Sequence, residues 1–385
     1  MSLNITSPST GSRVMPPRTS PGGQTGLVDI VSGSFGAGHD AAAREIALRL
    51  ETRGYTTRTW DIVDLMPGPL GRTVRAGYLR QIQSLPATWS WTLNRFERHP
   101  ALARAAGRAL GSADAALLAL AADGADAIVS THPFASQALG GLREQGLITS
   151  PVVTYLTDMS VHPLWVHAFV DLHLALNELP AREARHRGAK VVRVVRPAVP
   201  DRFATPGGAR MTSPSQSRQA FGLPLNERLV LVTGGSCGIG ALERTAAEIA
   251  ATGLAVPVVL CGRNRRLLHR IRASDSAIGL GWIDDMPSLL NAVDAVVQNS
   301  GGFTSLETLA AGVPIITYRC ISGHGETNAR ALDKAGLVPW IQERGDLDTG
   351  LGVALSTPHT YQPPTSWLRR VDVVDAIASC VPAIS

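Results

Sequence analysis

The chain has 385 residues and a formal net charge of +5, with 44% hydrophobic and 17% charged residues, which is typical of a folded globular protein and not of a disordered one. This length exceeds what one hydrophobic core usually serves, so we expect two domains. The four cysteines include no CxxC pair, which argues against a zinc site or a disulfide framework and favours a reducing compartment.

The N-terminal segment 1–25 is rich in Ser, Thr, Pro and Gly and contains no apolar run of signal-peptide length. We expect a disordered leader there. Farther along, the apolar stretch AALLALAADGADAIV is interrupted by Asp123 and Asp126, whereas a membrane span needs about 18 uninterrupted apolar residues. We therefore expect a chain that does not cross a membrane.

From Leu27 to about Val199, β-like runs alternate with helical stretches, which predicts a parallel sheet with crossover helices. The predicted strands are LVDIV, TTRTWDIV, ADAIVST, PVVTYLT, LHLAL and VVRVV. We assign residues 26–200 to a first doubly wound domain.

A glycine-rich stretch, GSFGAGH, follows the first predicted strand and leads into a helix. Such a turn either offers free backbone N–H groups to a phosphate or simply needs glycine for its conformation. It ends in His39, whose imidazolium is disfavoured at a helix N-terminus. We expect His39 to be neutral near pH 7 and able to accept a proton, with a capping or core role as the alternative.

Segment 67–110 combines seven arginines with one acidic residue, Glu97, and several aromatic residues. These are Arg72, Arg75, Arg80, Arg95, Arg98, Arg104 and Arg108, with Tyr78, Trp89, Trp91 and Phe96 between them. The mixture suits an anionic membrane surface, because arginine pairs with headgroup phosphates and tryptophan favours the interface. Nucleic acid would attract the same charges, and a solvated helical face is the simplest alternative.

A stretch rich in Pro, Gly and Ser predicts a linker over residues 201–224. Strand-like runs then resume as RLVLVTG, PVVLCG, IGLGWI, AVVQNS and PIITYR. We assign residues 225–385 to a second doubly wound domain, whose last helix is a candidate to pack on the first domain. Two such domains enclose a cleft at the carboxyl ends of their strands, where ligands bind.

A second glycine-rich turn, TGGSCGIG, repeats the order strand, turn, helix. Its TGxxxGxG spacing also occurs in short-chain dehydrogenases, which would require a Tyr-x-x-x-Lys pair farther along the chain. Tyr318 is followed four residues later by Ser322, and Tyr361 by Thr365. The dehydrogenase interpretation therefore lacks its catalytic pair.

Seven ordered blocks over residues 27–340 resemble the monogalactosyldiacylglycerol synthase family, which are inverting GT-B glycosyltransferases. The blocks are GSFGAGHDAA, STHPFASQAL, TYLTDMSVHPLWVH, TGGSCGIGALE, VVLCGRNRRLLHRI, NSGGFTSLETLAAGVPII and ISGHGETNA. The resemblance implies a GT-B fold of two Rossmann-like domains facing across a cleft. It also implies a UDP-sugar donor in the C-terminal domain, a lipid acceptor at the N-terminal domain, and no metal or other cofactor. The only Asp-x-Asp, Asp346 and Asp348, lies beyond these blocks.

For the donor, the resemblance implies that Gly235, Ser236 and Gly238 hold the diphosphate through backbone amides. Arg263 and the main chain at Ile283 would lie near the nucleotide.

Glu307 matches the glutamate that binds ribose hydroxyls in the family, on a helix that also carries Thr304. A T-x-x-E capping box formed by these two residues is the structural alternative. The family's Gly-Pro-Gly-Thr run is GGFT in this chain, so Phe303 is expected to reshape the phosphate end.

The stretch SGHGETN stands where the family has a Gly-Gln-Glu block at the donor sugar. The Gln and Glu are replaced by His324 and Gly325, while Asn328 is retained. We expect His324 and Asn328 to contact the donor, and the departure leaves the transferred sugar open.

His39 matches the family's catalytic histidine, which takes the proton of the acceptor hydroxyl. Asp158 is expected to orient or assist this base or to bind the acceptor. The remaining acceptor-side candidates, each also plausible as packing at a strand end, are Gly36, Gly38, His132 and Trp165.

The resemblance thus predicts transfer of a hexose from a UDP-sugar to a lipid hydroxyl, with diacylglycerol as the first candidate. The protein would be cytoplasmic, bound peripherally to the inner face of the cell membrane through segment 67–110, with no nucleic-acid partner. Two alternatives stay open. One is the same fold acting on a polyprenyl-phosphate lipid or a soluble natural product, and the other is a UDP-sugar 2-epimerase.

Overall fold

The computed structural model describes residues 26–84, 95, 98–99, 113–204, 213–274, 276–360 and 362–381. The predicted leader 1–25 lies outside these residues. So do much of segment 67–110 and six of the residues named in it above. They are Trp89, Trp91, Phe96, Glu97, Arg104 and Arg108.

The first sheet has six parallel strands in the order β2-β1-β3-β4-β5-β6. The strands are β1 (Leu27–Ser32), β2 (Thr56–Asp61), β3 (Ala127–Ser130), β4 (Val152–Tyr155), β5 (Leu172–Ala175) and β6 (Val192–Val194). The helices are α1 (Ala37–Thr52), α2 (Ile62–Leu65), α3 (Leu70–Ser84), α4 (Asp114–Ala122), α5 (Pro133–Glu144) and α6 (Glu178–His186). Every residue of β1 is buried, as expected for a parallel strand covered by helices on both faces.

The second sheet repeats this architecture, again with six parallel strands, in the order β12-β11-β10-β7-β8-β9. Its strands are β7 (Leu229–Thr233), β8 (Val256–Leu260), β9 (Ile278–Leu280), β10 (Ala295–Gln298), β11 (Ile315–Tyr318) and β12 (Trp340–Ile341). Its helices are α7 (Pro214–Ala220), α8 (Leu242–Ala251), α9 (Arg265–Arg272), α10 (Met286–Ala292), α11 (Phe303–Ala311), α12 (His324–Lys334) and α13 (Leu347–Ser356). The two predicted parallel α/β units are therefore present.

The predicted linker 201–224 is partly helical. Ser213 caps α7 through a reciprocal capping box with Gln216. Within α7, the buried Arg218 donates to the carbonyl of Ala292 and pairs with Asp294 at 2.8 Å. These contacts make α7 part of the second domain, while residues 205–212 lie outside the described residues.

The C-terminal segment returns to the first domain through α14 (Thr365–Leu368) and α15 (Val373–Ala378). Val371 forms a parallel bridge with Val195 beside β6. Arg49 of α1 pairs with Asp372 at 3.1 Å. The last helix therefore packs on α1 and links the two domains at a second place besides the linker.

Helix α3 is the described helical part of segment 67–110. Arg72 and Arg80 are exposed on its outer side, where they line one surface depression, whereas Tyr78 packs against the core of the first domain. Among the described helices, none combines the length and the apolar character that a membrane span requires.

Candidate active site

The cleft between the domains holds two neighbouring cavities, of about 830 and about 230 Å³. Both are bounded by the start of α1 on one side and by the β7–α8 turn and the start of α11 on the other. They thus lie at the carboxyl ends of the strands of both sheets, where open α/β folds bind ligands.

The first glycine-rich turn leads directly into α1, which begins at Ala37 with Gly36 as an extended N-cap (φ −154°). Its glycines allow close approach. A Cβ on Gly33 would lie 2.6 Å from Cγ of His132, and a Cβ on Gly38 would lie 2.8 Å from Cβ of Phe303 in the other domain. Gly36 and Gly38 therefore line the cleft at the point where the two domains touch.

The second glycine-rich turn has a different backbone, with positive φ at Gly235 (70°) and Gly238 (54°). The Gly238 amide donates to the carbonyl of Gly235 inside the turn, so the predicted diphosphate role does not fit this amide. Ser236 and Cys237 line the smaller cavity, and no described residue accepts from their amides. Sequence reasoning missed Cys237, because a main-chain donor leaves no trace in side-chain identity.

His39 stands in the first turn of α1 with a defined tautomer. Its Nδ1 lies 2.8 Å from the carbonyl oxygen of Thr131, which can only accept, so Nδ1 carries the proton. The Thr157 hydroxyl, which the sequence did not indicate, lies 3.1 Å from the same nitrogen. Burial lowers the pKa of His39, and the nearby Asp158 carboxylate partly offsets this. The neutral ring therefore has an unprotonated Nε2 at the cleft.

Asp158 joins the two domains next to His39. Its Oδ2 accepts from the indole N–H of Trp165 at 3.0 Å, and its Oδ1 lies 3.4 Å from Nε2 of His324 at the start of α12. Burial alone would raise the pKa of Asp158, but His324 holds it well below its usual range. Burial likewise opposes protonation of His324, yet Asp158 raises the pKa of His324 above its ordinary value.

Trp165 and Asn328 are buried residues that hold other parts of the site in place. Trp165 is fully buried and orients Asp158, so direct contact with an acceptor, as predicted, does not fit its position. Asn328 is also fully buried, and its Oδ1 accepts from the amide and the hydroxyl of Ser160, both at 2.9 Å. The predicted donor contact does not fit Asn328 either, since its amide ties α12 to the first domain.

His132 is the N-cap of α5, and its Nδ1 accepts from the amide of Phe134 at 3.2 Å. Burial, together with the neighbouring His39 and His162, keeps the pKa of His132 well below its ordinary value. The ring stacks on Phe35 with centroids 4.8 Å apart and meets His39 edge to face at 4.7 Å. His132 is thus a neutral imidazole beside the candidate base.

Glu307 lies on the first turns of α11 and lines the larger cavity with Thr304. The capping-box alternative is wrong, because Gly302 is the N-cap, no side chain caps it, and Thr304 lies inside the helix. Burial raises the pKa of Glu307 to about 7, and Arg202 opposes the shift. Phe303, at the helix start, borders both cavities.

At the far end of the larger cavity, Trp282 and Ile283 line the wall. The guanidinium of Arg263 lies over the Trp282 ring, 4.4 Å from its centroid, which is close enough for a cation–π interaction. Arg263 is exposed and therefore borders this end only through Trp282. The aromatic residue directly before Ile283 was the signal that could have identified Trp282.

The sequence of the chain is similar to those of known proteins. A sequence model described as monogalactosyldiacylglycerol (MGDG) synthase matches residues 39–196. Monogalactosyldiacylglycerol synthase 1 of Arabidopsis thaliana is 31% identical over 235 residues, 57% of this chain and 42% of that protein. The chain is similar in sequence to the monogalactosyldiacylglycerol synthases.

A second relative in sequence is the processive diacylglycerol beta-glucosyltransferase of Bacillus mycoides. It is 24% identical over 232 residues, which cover 58% of each protein. The matched part of this chain thus spans about half the length of these curated relatives.

Solved structures show the same fold. UGT89C1 of Arabidopsis thaliana has a TM-score of 0.55 at 12% identity, covering 93% of this chain and 98% of that one. UGT71G1 of Medicago truncatula, solved with UDP-glucose, has a TM-score of 0.54 at 13% identity, covering 92% of each chain. The predicted GT-B fold is confirmed.

In the part of the chain that the structure describes, acidic residues do not form a metal centre, because no group of three or more His, Cys, Asp or Glu side chains is able to hold an ion. Asp346 and Asp348 lie at the start of α13, away from the cleft, where Asp348 pairs with Arg344 at 3.0 Å on the surface. This Asp-x-Asp therefore has a local structural role.

Proposed function

We propose that this chain transfers a hexose from a UDP-sugar to the hydroxyl of a lipid, with diacylglycerol as the acceptor, and with inversion at the anomeric carbon. The observation that carries the proposal is His39. It is a neutral imidazole whose protonated Nδ1 is held by the Thr131 carbonyl and whose other nitrogen is free at the border of the smaller cavity.

In the proposed reaction, Nε2 of His39 takes the proton of the acceptor hydroxyl as its oxygen attacks the anomeric carbon. The new carbon–oxygen bond forms on one face of the sugar. The bond to the diphosphate breaks on the opposite face, and UDP leaves with the electron pair. Attack and departure on opposite faces invert the anomeric configuration.

The donor would lie along the second domain. The Ser236 and Cys237 amides suit the diphosphate, because free amides in a turn stabilise the charge that grows on a leaving phosphate. The Glu307 carboxylate suits the ribose hydroxyls, and Trp282 with Ile283 suits the base. The Medicago truncatula structure, which has the same fold, was solved with UDP-glucose, and this supports a UDP-sugar as the donor.

The lipid side of the proposal involves α3. Arg72 and Arg80 are exposed on this helix, whose Tyr78 lines the smaller cavity with His39. Arginines so close to the site favour an anionic membrane surface from which a lipid acceptor enters. We propose peripheral binding at the cytoplasmic face of the cell membrane, with no nucleic-acid partner and no metal cofactor.

The test is a matrix of UDP-hexoses against diacylglycerol, polyprenyl phosphate and small aglycones, presented with anionic vesicles and read by product mass. We expect a hexosyl-diacylglycerol from at least one donor, and UDP release only when diacylglycerol is present. A product from polyprenyl phosphate alone would overturn the acceptor assignment. UDP release without any acceptor, with a change at the sugar, would favour the 2-epimerase alternative.

A further inference from the structure

Next to His39 lies a further cavity of about 40 Å³. It shares His39, Tyr78 and Asp158 with the smaller cavity of the cleft. His132 lines it as well. Since one water needs roughly 10–15 Å³ of cavity volume, the space admits about three or four heavy atoms. An acceptor fragment seated there would lie against both His39 and His132.

Two of the imidazoles that line this cavity, those of His39 and His132, have opposite hydrogen-bonding character. Nδ1 of His39 donates to the Thr131 carbonyl, so its Nε2 can only accept. Nδ1 of His132 accepts from the Phe134 amide, so its Nε2 carries the proton and can only donate. Backbone partners fix both assignments, because a carbonyl never donates and an amide N–H never accepts.

The Nε2–H of His132 has no acceptor among the described residues. An oxygen of a ligand in this cavity, which His132 lines, can therefore accept this hydrogen bond. We propose that His132 is an acceptor-specificity residue. Its Nε2–H binds a second oxygen of the acceptor, next to the hydroxyl whose proton goes to His39. The inference rests on the proposed glycosyl transfer and adds a residue that recognises the acceptor.

This arrangement selects a hydroxyl with an ester, ether or hydroxyl oxygen on the neighbouring carbon, as in a glycerol backbone. Phe35, Tyr78 and Phe134 provide apolar and aromatic walls around the same cavity, which suits the carbon atoms between the two oxygens of the acceptor fragment. Its described lining contains no Lys or Arg, and its charged or titratable groups besides the two imidazoles are Tyr78, Asp158, His162 and His324. With the Asp158 carboxylate this close, a phosphorylated acceptor is disfavoured.

The first arm of the test compares two acceptors with wild-type protein. One is 1,2-dioctanoylglycerol, and the other carries an alkyl group of equal length in place of the acyloxy group on the second carbon. We expect kcat/KM for the oxygen-free acceptor to be about ten-fold lower, the effect of one lost hydrogen bond. Equal values for the two acceptors would overturn the inference and leave the proposed function standing, whereas transfer to neither acceptor would overturn both.

The second arm uses His132→Asn, which retains an N-cap acceptor for the Phe134 amide but lacks the ring nitrogen that donates. We expect this variant to lose about ten-fold in kcat/KM with dioctanoylglycerol and to change within about two-fold with the oxygen-free acceptor. Equal losses with both acceptors would indicate a merely structural role and overturn the inference. Thermal unfolding of the variant checks that the cap is retained, and the wild-type comparison decides the question even where the variant fails to fold.

Discussion

The two glycine-rich turns, GSFGAGH and GSCGIGA, share their spacing but not their backbone. The first has no glycine with positive φ and enters α1 at Ala37. The second has positive φ at Gly235, Gly238 and Gly240, and α8 begins at Leu242, three positions later than α1 when the two copies are aligned. Identical glycine spacing therefore fixes neither the turn conformation nor the point where the helix begins.

Because of this difference in backbone, the two turns present different groups to the cleft. The early start of α1 places a side chain, His39, in the first helical turn at the cavity border. The longer second turn instead presents main-chain amides at Ser236 and Cys237, while Ala241, the counterpart of His39, is exposed and outside both cavities. In the proposed reaction, the first turn would supply the proton acceptor and the second would hold the diphosphate.

The largest expected effect comes from removing the base in the first turn. His39→Ala should lower kcat by about 10²–10⁴-fold, the usual contribution of a general base. UDP affinity, measured by calorimetry, should change less than two-fold, because the proposed donor contacts lie on the other domain. Near-normal transfer by a folded His39→Ala protein would remove His39 from the mechanism.

A double variant tests whether a histidine at the equivalent position of the second turn can replace His39. His39→Ala combined with Ala241→His restores the histidine at the equivalent position of the second turn. We expect no recovery of transfer, since position 241 faces solvent.

The glycines at equivalent positions 36 and 238 should differ in their effect on stability. Gly238 has φ +54°, and an added Cβ would lie 2.6 Å from the carbonyl oxygen of Cys261. Gly238→Ala should therefore lower the free energy of unfolding by about 2–4 kcal/mol. Gly36 is an extended N-cap whose added Cβ would meet only Cδ2 of His39, at 3.9 Å, so Gly36→Ala should cost less than about 1 kcal/mol. Urea unfolding of both variants measures the difference, and equal losses would contradict the assigned backbones.

Much of the fold followed from sequence because its signals are local. Buried strands such as β1 are apolar runs between turn residues, and His39 stood out at the end of its turn. What the sequence missed depends on partners far away along the chain. Helix α7 falls within the predicted linker. The sequence did not reveal this helix, because its Arg218 pairs with Asp294, 76 residues away along the chain. Likewise, the tautomer of His39 is set by Thr131, 92 residues away.

The smallest expected effect concerns Glu307, which lies in the same domain as the second turn. Its pKa near 7 in the free protein means that a carboxylate able to accept two ribose hydrogen bonds is scarce at pH 6 and abundant at pH 8. If the ionised form binds the ribose, UDP affinity should rise by about ten-fold between these values. The β-phosphate of UDP titrates in the same pH range. Glu307→Gln, which cannot ionise at position 307, measures the contribution of the phosphate alone. The UDP affinity of this variant should therefore depend less steeply on pH. Calorimetry that gave the same pH dependence for both proteins would remove Glu307 from ribose binding, because only the wild type loses a proton at this site as the pH rises.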